Sequence, residues 1–545
     1  MDKALVFFNG DIITMDPADM RVEAAAVCGT KVTAVGSPQH VALSVEKGIE
    51  VEHIDLQGAT LLPGFYDTHC HLFNYALNLK GVDLTWVKSA EELKTRLREY
   101  IARENIPAGE WVLGRGWNQE LFYDQRVPPL QDLDSISMVH PILLIRVCTH
   151  VGLVNSMALA AAGICRDSPN PSGGQFERDK QGSFTGIVKE MALECVKGSI
   201  SHPDLPEMKD LVARAAVDFS RAGLTSIQSD DLMALPDLET IITVYSQLEE
   251  EGRLPFNVAL QLRLNKDQLS EFIRIKEDFQ SRLVKPGPLK IILDGSLGAR
   301  TAALRRPYRD AADPDWKGIL TLSRKELTEL LETAHANGLQ TACHCIGDAA
   351  AALFLNVLED VKSRYPEIKT RHRMVHCQVT DYPLLDRIAR AGIAVDIQPL
   401  FTATDWPMVD NRIGPELAGT SYAWKSLLKR GVPLAGSSDC PVESFRPLDS
   451  IQAAVTRQDL NLQPPGGWHP AEKLSIGEGI SLFTSGAAEV CGEAERKGMI
   501  RPGMDADFVI LEENPFRVGE HKIRDIQILG TVVQGKRLPL QASQL

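Results

Sequence analysis

Short apolar runs alternating with segments of helical periodicity constrain this chain more than any other feature. Eight such runs stand out, at 60–71, 224–231, 257–264, 289–295, 339–345, 373–378, 393–399 and 432–439. Helical segments lie between most of them, 324–337 and 382–391 being examples. Strands joined through helices run parallel and need both faces covered, and eight of them match a (β/α)8 barrel. The fold class expected is therefore α/β, a TIM barrel. The gap between the first two runs is far longer than one crossover. Residues 78–205 are expected to form an insertion domain with its own small core, leaving 59–77 plus 206–499 to the barrel. The two ends have another texture. Residues 5–8, a turn at Asn9-Gly10, and residues 12–15, 24–27 and 32–35 read as short strands, as do 508–511 and 526–533. A β-sandwich domain built from 1–58 and 500–545 is the expectation.

Five of the eight runs carry a metal-competent residue at or near their C-terminal ends, where barrel active sites lie. The first ends Leu62-Pro63-Gly64-Phe65-Tyr66-Asp67-Thr68-His69-Cys70-His71. Strand side chains alternate, so His69 and His71 share a face about 7 Å apart and can converge on one metal ion. Lys290, His344, His376 and Asp439 complete the set. Each has an ordinary explanation. A lone histidine is usually a hydrogen-bonded core residue, and Asp439 in Gly436-Ser437-Ser438-Asp439 can cap a helix. Lys290 inside Leu289-Lys290-Ile291-Ile292 is a costly charge unless paired. Those explanations would have to hold independently at four strand ends, so a shared site is the simpler reading.

Composition narrows the partners. Lys plus Arg number 58 against 72 for Asp plus Glu, a net charge of −14 that disfavours nucleic acid and anionic membranes. No apolar run approaches a membrane span, and Met1-Asp2-Lys3 followed by five apolar residues is no signal peptide, so a cytoplasmic location is expected. Ten cysteines in so long a chain do not make a disulfide scaffold. Cys70, Cys343, Cys345, Cys377 and Cys440 each adjoin a nominated ligand. Alternation sends them to the helix layer, where a small thiol packs well.

Further motifs run through nearly the whole chain. They include Asn9-Gly10 with Ile13-Thr14-Met15, Gly114-Arg115-Gly116-Trp117, His150 with Asn155-Ser156, and Gly173-Gly174 before Thr185-Gly186. Asp294-Gly295-Ser296-Leu297-Gly298-Ala299-Arg300-Thr301, His344-Cys345-Ile346-Gly347-Asp348 and Gly503 with Ala506-Asp507 follow. With the histidine run and Ser438-Asp439, this series resembles the amidohydrolase superfamily. Within it the chain is most similar to the YtcJ-like metal-dependent hydrolases, a branch that includes N-substituted formamide deformylases and exoenzyme regulators.

The resemblance implies that His69, His71 and Asp439 hold one metal while His344 and His376 hold another. Lys290, as a carbamate formed with CO2, would bridge them, and Glu190 in the insertion is the competing bridge. The cofactor implied is a divalent metal, zinc foremost, as one or two ions. The activity implied is hydrolysis of an amide, formamide or cyclic amide C–N bond, outside peptides, in a small-molecule substrate. Asp439 would take the water's proton and hand it to the leaving nitrogen. Trp117, Asn118 and His150 are the candidates for the substrate pocket, and simple core packing explains Trp117 as well. A heterocycle deaminase on the same scaffold is the alternative. Such enzymes usually carry His-x-x-Glu after the fifth or sixth strand, whereas His344 is followed by Cys345-Ile346-Gly347 and His376 by Cys377-Gln378-Val379. A non-catalytic regulatory protein is the third reading; such paralogues lose ligands, and this chain keeps them. The oligomeric state is open, a homodimer being one option.

Overall fold

The computed structural model describes residues 3–538 apart from 45–48, 147–150, 172, 202, 233–234, 236, 277–278 and 280. The chain divides into two units, Met1–Tyr75 with Val212–Leu545, and Ala76–Leu211.

The first unit contains the barrel. Its strands are Phe65–Cys70, Leu224–Ser229, Asn257–Leu262, Val284–Ile292, Thr341–Cys345, Arg373–His376, Ala394–Ile397 and Leu434–Gly436, paired in parallel in chain order. The ends of the first and eighth strands meet through backbone bonds, Asp439 N to His69 O at 2.9 Å and His71 N to Cys440 O at 2.8 Å. The helices between strands are locally encoded. Arg324–Ala336 starts at a capping box of Ser323 and Glu326 and buries Leu327, Leu331 and Ala334. Tyr382–Ala391 starts at Asp381 and stops at Gly392, whose φ of 62° suits glycine.

All eight expected strands are present, with boundaries that move most at the first and fourth. The fourth begins at Val284 rather than 289, because Pro286-Gly287-Pro288 runs on beside the third strand. A β-carbon at Gly287 would lie 2.7 Å from the Leu260 carbonyl oxygen. The run 60–71 splits at Gly64. Thr60–Pro63 pairs antiparallel with Phe508–Leu511, and the barrel begins at Phe65. A β-carbon at Gly64 would sit 2.2 Å from the Thr225 side chain, so only glycine lets the chain cross from one sheet to the other.

Both termini build one eight-stranded sheet, from Ala4–Ile13, Arg21–Cys28, Lys31–Gly36, Val51–Asp55 and Thr60–Pro63 with Phe508–Leu511, Ile528–Val533 and Lys536–Arg537. Phe7 and Phe508 meet edge to face in its core, 5.5 Å apart. The turn expected at Asn9-Gly10 is instead an irregularity inside one long strand, between Phe8 and Ile12. Asn9 takes a φ of 57°, and Gly10 packs where a β-carbon would meet the Ala59 carbonyl at 2.4 Å.

Inside the barrel, buried polar side chains link several strands. Arg373, fully buried, reaches Asp396 (Nε to Oδ2, 3.4 Å) and donates to Gln228 Oε1 at 2.8 Å. Thr68 Oγ1 donates to Asp396 Oδ1 at 2.8 Å. Four strands are thereby tied together by side chains that face inward.

The second unit has a six-stranded sheet, Val82–Asp83, Val112–Trp117, Ile142–Arg146, Val151–Val154, Gly174–Arg178 and Phe184–Glu190. Leu93, Leu97, Trp117 and Leu144 fill one side of it, and Leu143, Val154, Phe176 and Leu193 form a second cluster. This unit has a core of its own. Among the described residues no helix is long and apolar enough to cross a membrane, and the nine described cysteines are unpaired.

Candidate metal centre

The first barrel strand delivers His69 near its end and His71 one residue beyond it. His71 Nδ1 donates to the Asp230 carbonyl at 2.7 Å, which fixes the tautomer and turns Nε2 toward Asp439 Oδ1 at 3.1 Å. His69 Nε2 lies 3.1 Å from the same oxygen. One ligand atom from each of the three residues falls within 4.8 Å of the others, and all three residues are buried. Two imidazole nitrogens and a carboxylate oxygen so gathered suit a divalent metal with N and O ligands.

Asp439 is placed by its backbone. Its φ of 57° is rare for a residue other than glycine and must be held by its surroundings. Asp67 does the holding: it accepts from Ser438 Oγ at 2.5 Å, from Ser438 N at 3.1 Å and from His69 N at 3.2 Å. Burial pushes the Asp67 carboxyl up to about 7. Burial also works against charge on Asp439, but hydrogen bonds from His69 and His71 outweigh it and hold Asp439 well below the usual carboxylate range.

The fifth and sixth strands bring the other two histidines together, with ring centres of His344 and His376 4.3 Å apart and His376 5.8 Å from His69. His376 Nδ1 donates to Gln398 Oε1 at 2.7 Å, and its ring stacks on Phe401. Gln398 is fixed in turn by donating to Ser437 Oγ at 2.8 Å. His344 Nε2 faces the Gly295 carbonyl at 3.1 Å and Asp294 Oδ1 at 3.5 Å. Burial pushes His69 down to about 3 and His344 to about 4, and also holds His376 well below the ordinary histidine range. Neutral imidazole is the ligating form. Lys290 points inward, as alternation along its strand requires, with Nζ 2.9 Å from His69 Nε2. Burial brings it down to about 8.

Several supporting residues of the site were not among the candidates nominated from the sequence. Asp230, at the end of the second strand, accepts from Arg263 Nη2 at 2.6 Å through Oδ2, while its buried Oδ1 has no partner among the described residues. Arg263 stands just past the third strand. Asp294 accepts three backbone amides, from Ala303, Ile346 and Gly347 at 2.9, 3.0 and 2.7 Å, and so ties the fourth strand end to the loop after His344. Position at a strand's C-terminal end was the available signal for Asp230 and Gln398, the same one that marks the histidines.

The remaining candidates lie in the second unit. Trp117 is buried in its core and donates from the indole nitrogen to the Leu144 carbonyl at 2.9 Å. Asn118 accepts from Arg146 at 3.0 Å. Glu190 is exposed, at the start of the helix Met191–Lys197, with a φ of 52°. His150 lies outside the described residues. The thiols of Cys70, Cys343, Cys345, Cys377 and Cys440 are buried and are not members of the His69, His71 and Asp439 group.

Comparison with known proteins converges on one family. The family model described as "Amidohydrolase family" matches residues 52–539. YtcJ of Bacillus subtilis (strain 168), named as an amidohydrolase, is 33% identical over 97% of this chain and 98% of its own. The N-substituted formamide deformylase of Arthrobacter pascens is 27% identical over 97% of both chains. Among solved structures, an uncharacterized metal-dependent hydrolase from Pyrococcus furiosus superposes with a TM-score of 0.77 at 29% identity, covering 94% of this chain and all of that one.

Proposed function

This chain belongs to the amidohydrolase family, and from that premise we propose that it is a metal-dependent hydrolase of amide, formamide or cyclic amide C–N bonds in small molecules. The observation that carries the reading is the convergence of His69, His71 and Asp439 at the C-terminal end of the barrel. The names of the deformylase and hydrolase relatives support it.

His69, His71 and Asp439 would hold one divalent ion, zinc being the proposal, and His344 and His376 a second. Bound there, the metal supplies Lewis-acid polarisation of a carbonyl and acidifies water to a pKa of about 7. Lys290 as an ammonium beside His69 would repel any cation held by that ring. Addition of its neutral amine to CO2, with loss of one proton, makes a carbamate whose oxygens suit the bridging role. Asp439 takes the proton of the attacking water and returns it to the departing nitrogen, which leaves as an amine. The Asp67–Ser438 clamp fixes the direction in which Asp439 presents its carboxylate. The Asp230 carbonyl and Gln398 fix the rings of His71 and His376, so neither turns away during turnover.

The test is a hydrolysis screen of N-formyl and N-acyl amines combined with elemental analysis of the same preparation. At least one equivalent of divalent metal, and loss of turnover on chelation, is expected. A metal-free preparation with full activity would overturn the proposal.

A further inference from the structure

The second barrel strand ends at Ser229, and Asp230 follows it with no exposed surface. Its backbone is committed on both sides to the segment that carries the first two histidines. Asp230 N donates to the Cys70 carbonyl at 2.9 Å, and the Asp230 carbonyl accepts from His71 Nδ1 at 2.7 Å. The side chain is held from elsewhere. Oδ2 accepts from Arg263 Nη2 at 2.6 Å, Oδ1 has no partner, and no other side chain among the described residues donates to this carboxylate. Arg263 Nε is likewise buried without a partner, so the two charges meet through a single hydrogen bond. Two features place Arg263 on the inner side of the barrel. Gln261, two residues earlier and on the same face, donates to the Thr68 carbonyl of the first strand at 2.9 Å, and the pairing of Leu262 with Leu289 sets Arg263 beside Lys290.

We propose that Arg263 is a positioning residue for the metal centre, acting through Asp230 on His71. The inference rests on the hydrolase reading above and concerns how tightly that site holds its ion. A buried carboxylate that loses its one counter-charge is costly to keep in place. It is relieved by turning toward water, and that turn moves the peptide whose carbonyl orients the His71 ring. The next residue shows the contrast. Asp231 accepts from Tyr245 Oη at 2.6 Å, from Ser229 Oγ at 2.8 Å and from Phe73 N at 3.0 Å, so both of its oxygens are engaged. The end of the second strand therefore grips residues 70–73 twice, once through a carboxylate with three donors and once through a carboxylate that depends on Arg263.

The experiment measures zinc affinity by competition with a chromophoric chelator on the full-length protein, with His71→Ala marking the binding step that depends on that ring. Loss of an outer partner of a ligating histidine typically costs about 10–100-fold in metal affinity. Arg263→Met and Arg263→Gln should each weaken the marked step by about that factor, the glutamine variant deciding if the methionine variant does not fold. Arg263→Lys keeps a donor and the charge and should recover part of the loss. Because Arg263 acts through Asp230, its loss should not add to that of Asp230→Asn, and the Arg263→Gln/Asp230→Asn double variant should bind zinc no more weakly than Arg263→Gln alone. Affinity of the neutral variants within about twofold of wild type, or losses that multiply in the double variant, would overturn the proposal. No substrate enters the measurement. A protein that binds zinc and hydrolyses no amide therefore fails the hydrolase reading alone, whereas one that binds no divalent ion fails both.

Discussion

Replacing Arg373 by methionine should cost most of the margin by which this barrel stays folded. The guanidinium has no exposed surface, lies 3.4 Å from Asp396 and donates to Gln228 at 2.8 Å. Methionine fills much of the volume but leaves the buried Asp396 carboxylate without its counter-charge, held by the hydrogen bond from the Thr68 hydroxyl. Removing one partner of a buried ion pair typically costs about 3–5 kcal/mol, against a total stability of about 5–15 kcal/mol. The loss should depend on pH with a definite sign. Burial raises Asp396 above its ordinary value even with Arg373 present, and without the arginine it rises further. A carboxyl whose folded pKa exceeds its unfolded one takes up a proton on folding, so stability falls as pH rises between the two values. The deficit of the variant should therefore be larger at about pH 8 than at about pH 5, by up to about 1.4 kcal/mol for each unit the pKa rises. Adding Asp396→Asn should recover part of it by removing the stranded charge. Urea midpoints followed by far-ultraviolet circular dichroism at matched pH values measure all three quantities. A variant within about 1 kcal/mol of wild type, or a double variant worse than the single one, would show that the pair does not carry the barrel interior as argued.

Three further outcomes are expected. Asp439→Asn should retain the fold and lose turnover by about 10²–10⁴-fold; near-normal kcat on a true substrate would remove Asp439 from proton transfer. Lys290→Ala should lose the second metal equivalent by elemental analysis, with activity partly restored by small carboxylates that fill the gap, and unchanged stoichiometry would argue against a lysine bridge. His372 donates to His335 at 2.8 Å and accepts from Thr341 N at 3.1 Å, and burial holds it down at about 3. With its folded pKa below the ordinary 6.5, its contribution is complete above pH 6.5 and lost as pH falls toward 3. His372→Gln should flatten the fall of the urea midpoint over that interval, and an unchanged slope would show that the pair does not sense acid.

What could be read from the sequence was whatever stood out against its local context. Lys290 was visible because a lone charge interrupts an apolar strand, and strand alternation then sent it inward, where it lies 2.9 Å from His69. The eight strands were visible because a buried parallel strand is apolar on both faces. Boundaries failed where local chemistry points one way and packing another. Pro286-Gly287-Pro288 has the residues of a turn yet continues the fourth strand, and Asn9-Gly10 has those of a hairpin yet lies inside one strand. In both places a neighbour 2.4–2.7 Å from an imagined β-carbon explains the glycine, and that neighbour is remote in sequence.

The supporting residues were hidden for a related reason. Asp230 helps through its backbone carbonyl, which every residue possesses, and Gln398 through an amide indistinguishable in sequence from any other. The Asp230 side chain is the sharper case. A carboxylate just past a strand is unremarkable in a chain of net charge −14. It becomes anomalous only when the fold buries it and leaves Oδ1 without a partner among the described residues. A charge in the wrong local setting is a sequence signal, whereas a buried atom left without a partner is a property of the fold alone. Residues of the second kind are where specificity for a substrate is most readily built, because what the fold leaves unsatisfied a ligand can satisfy.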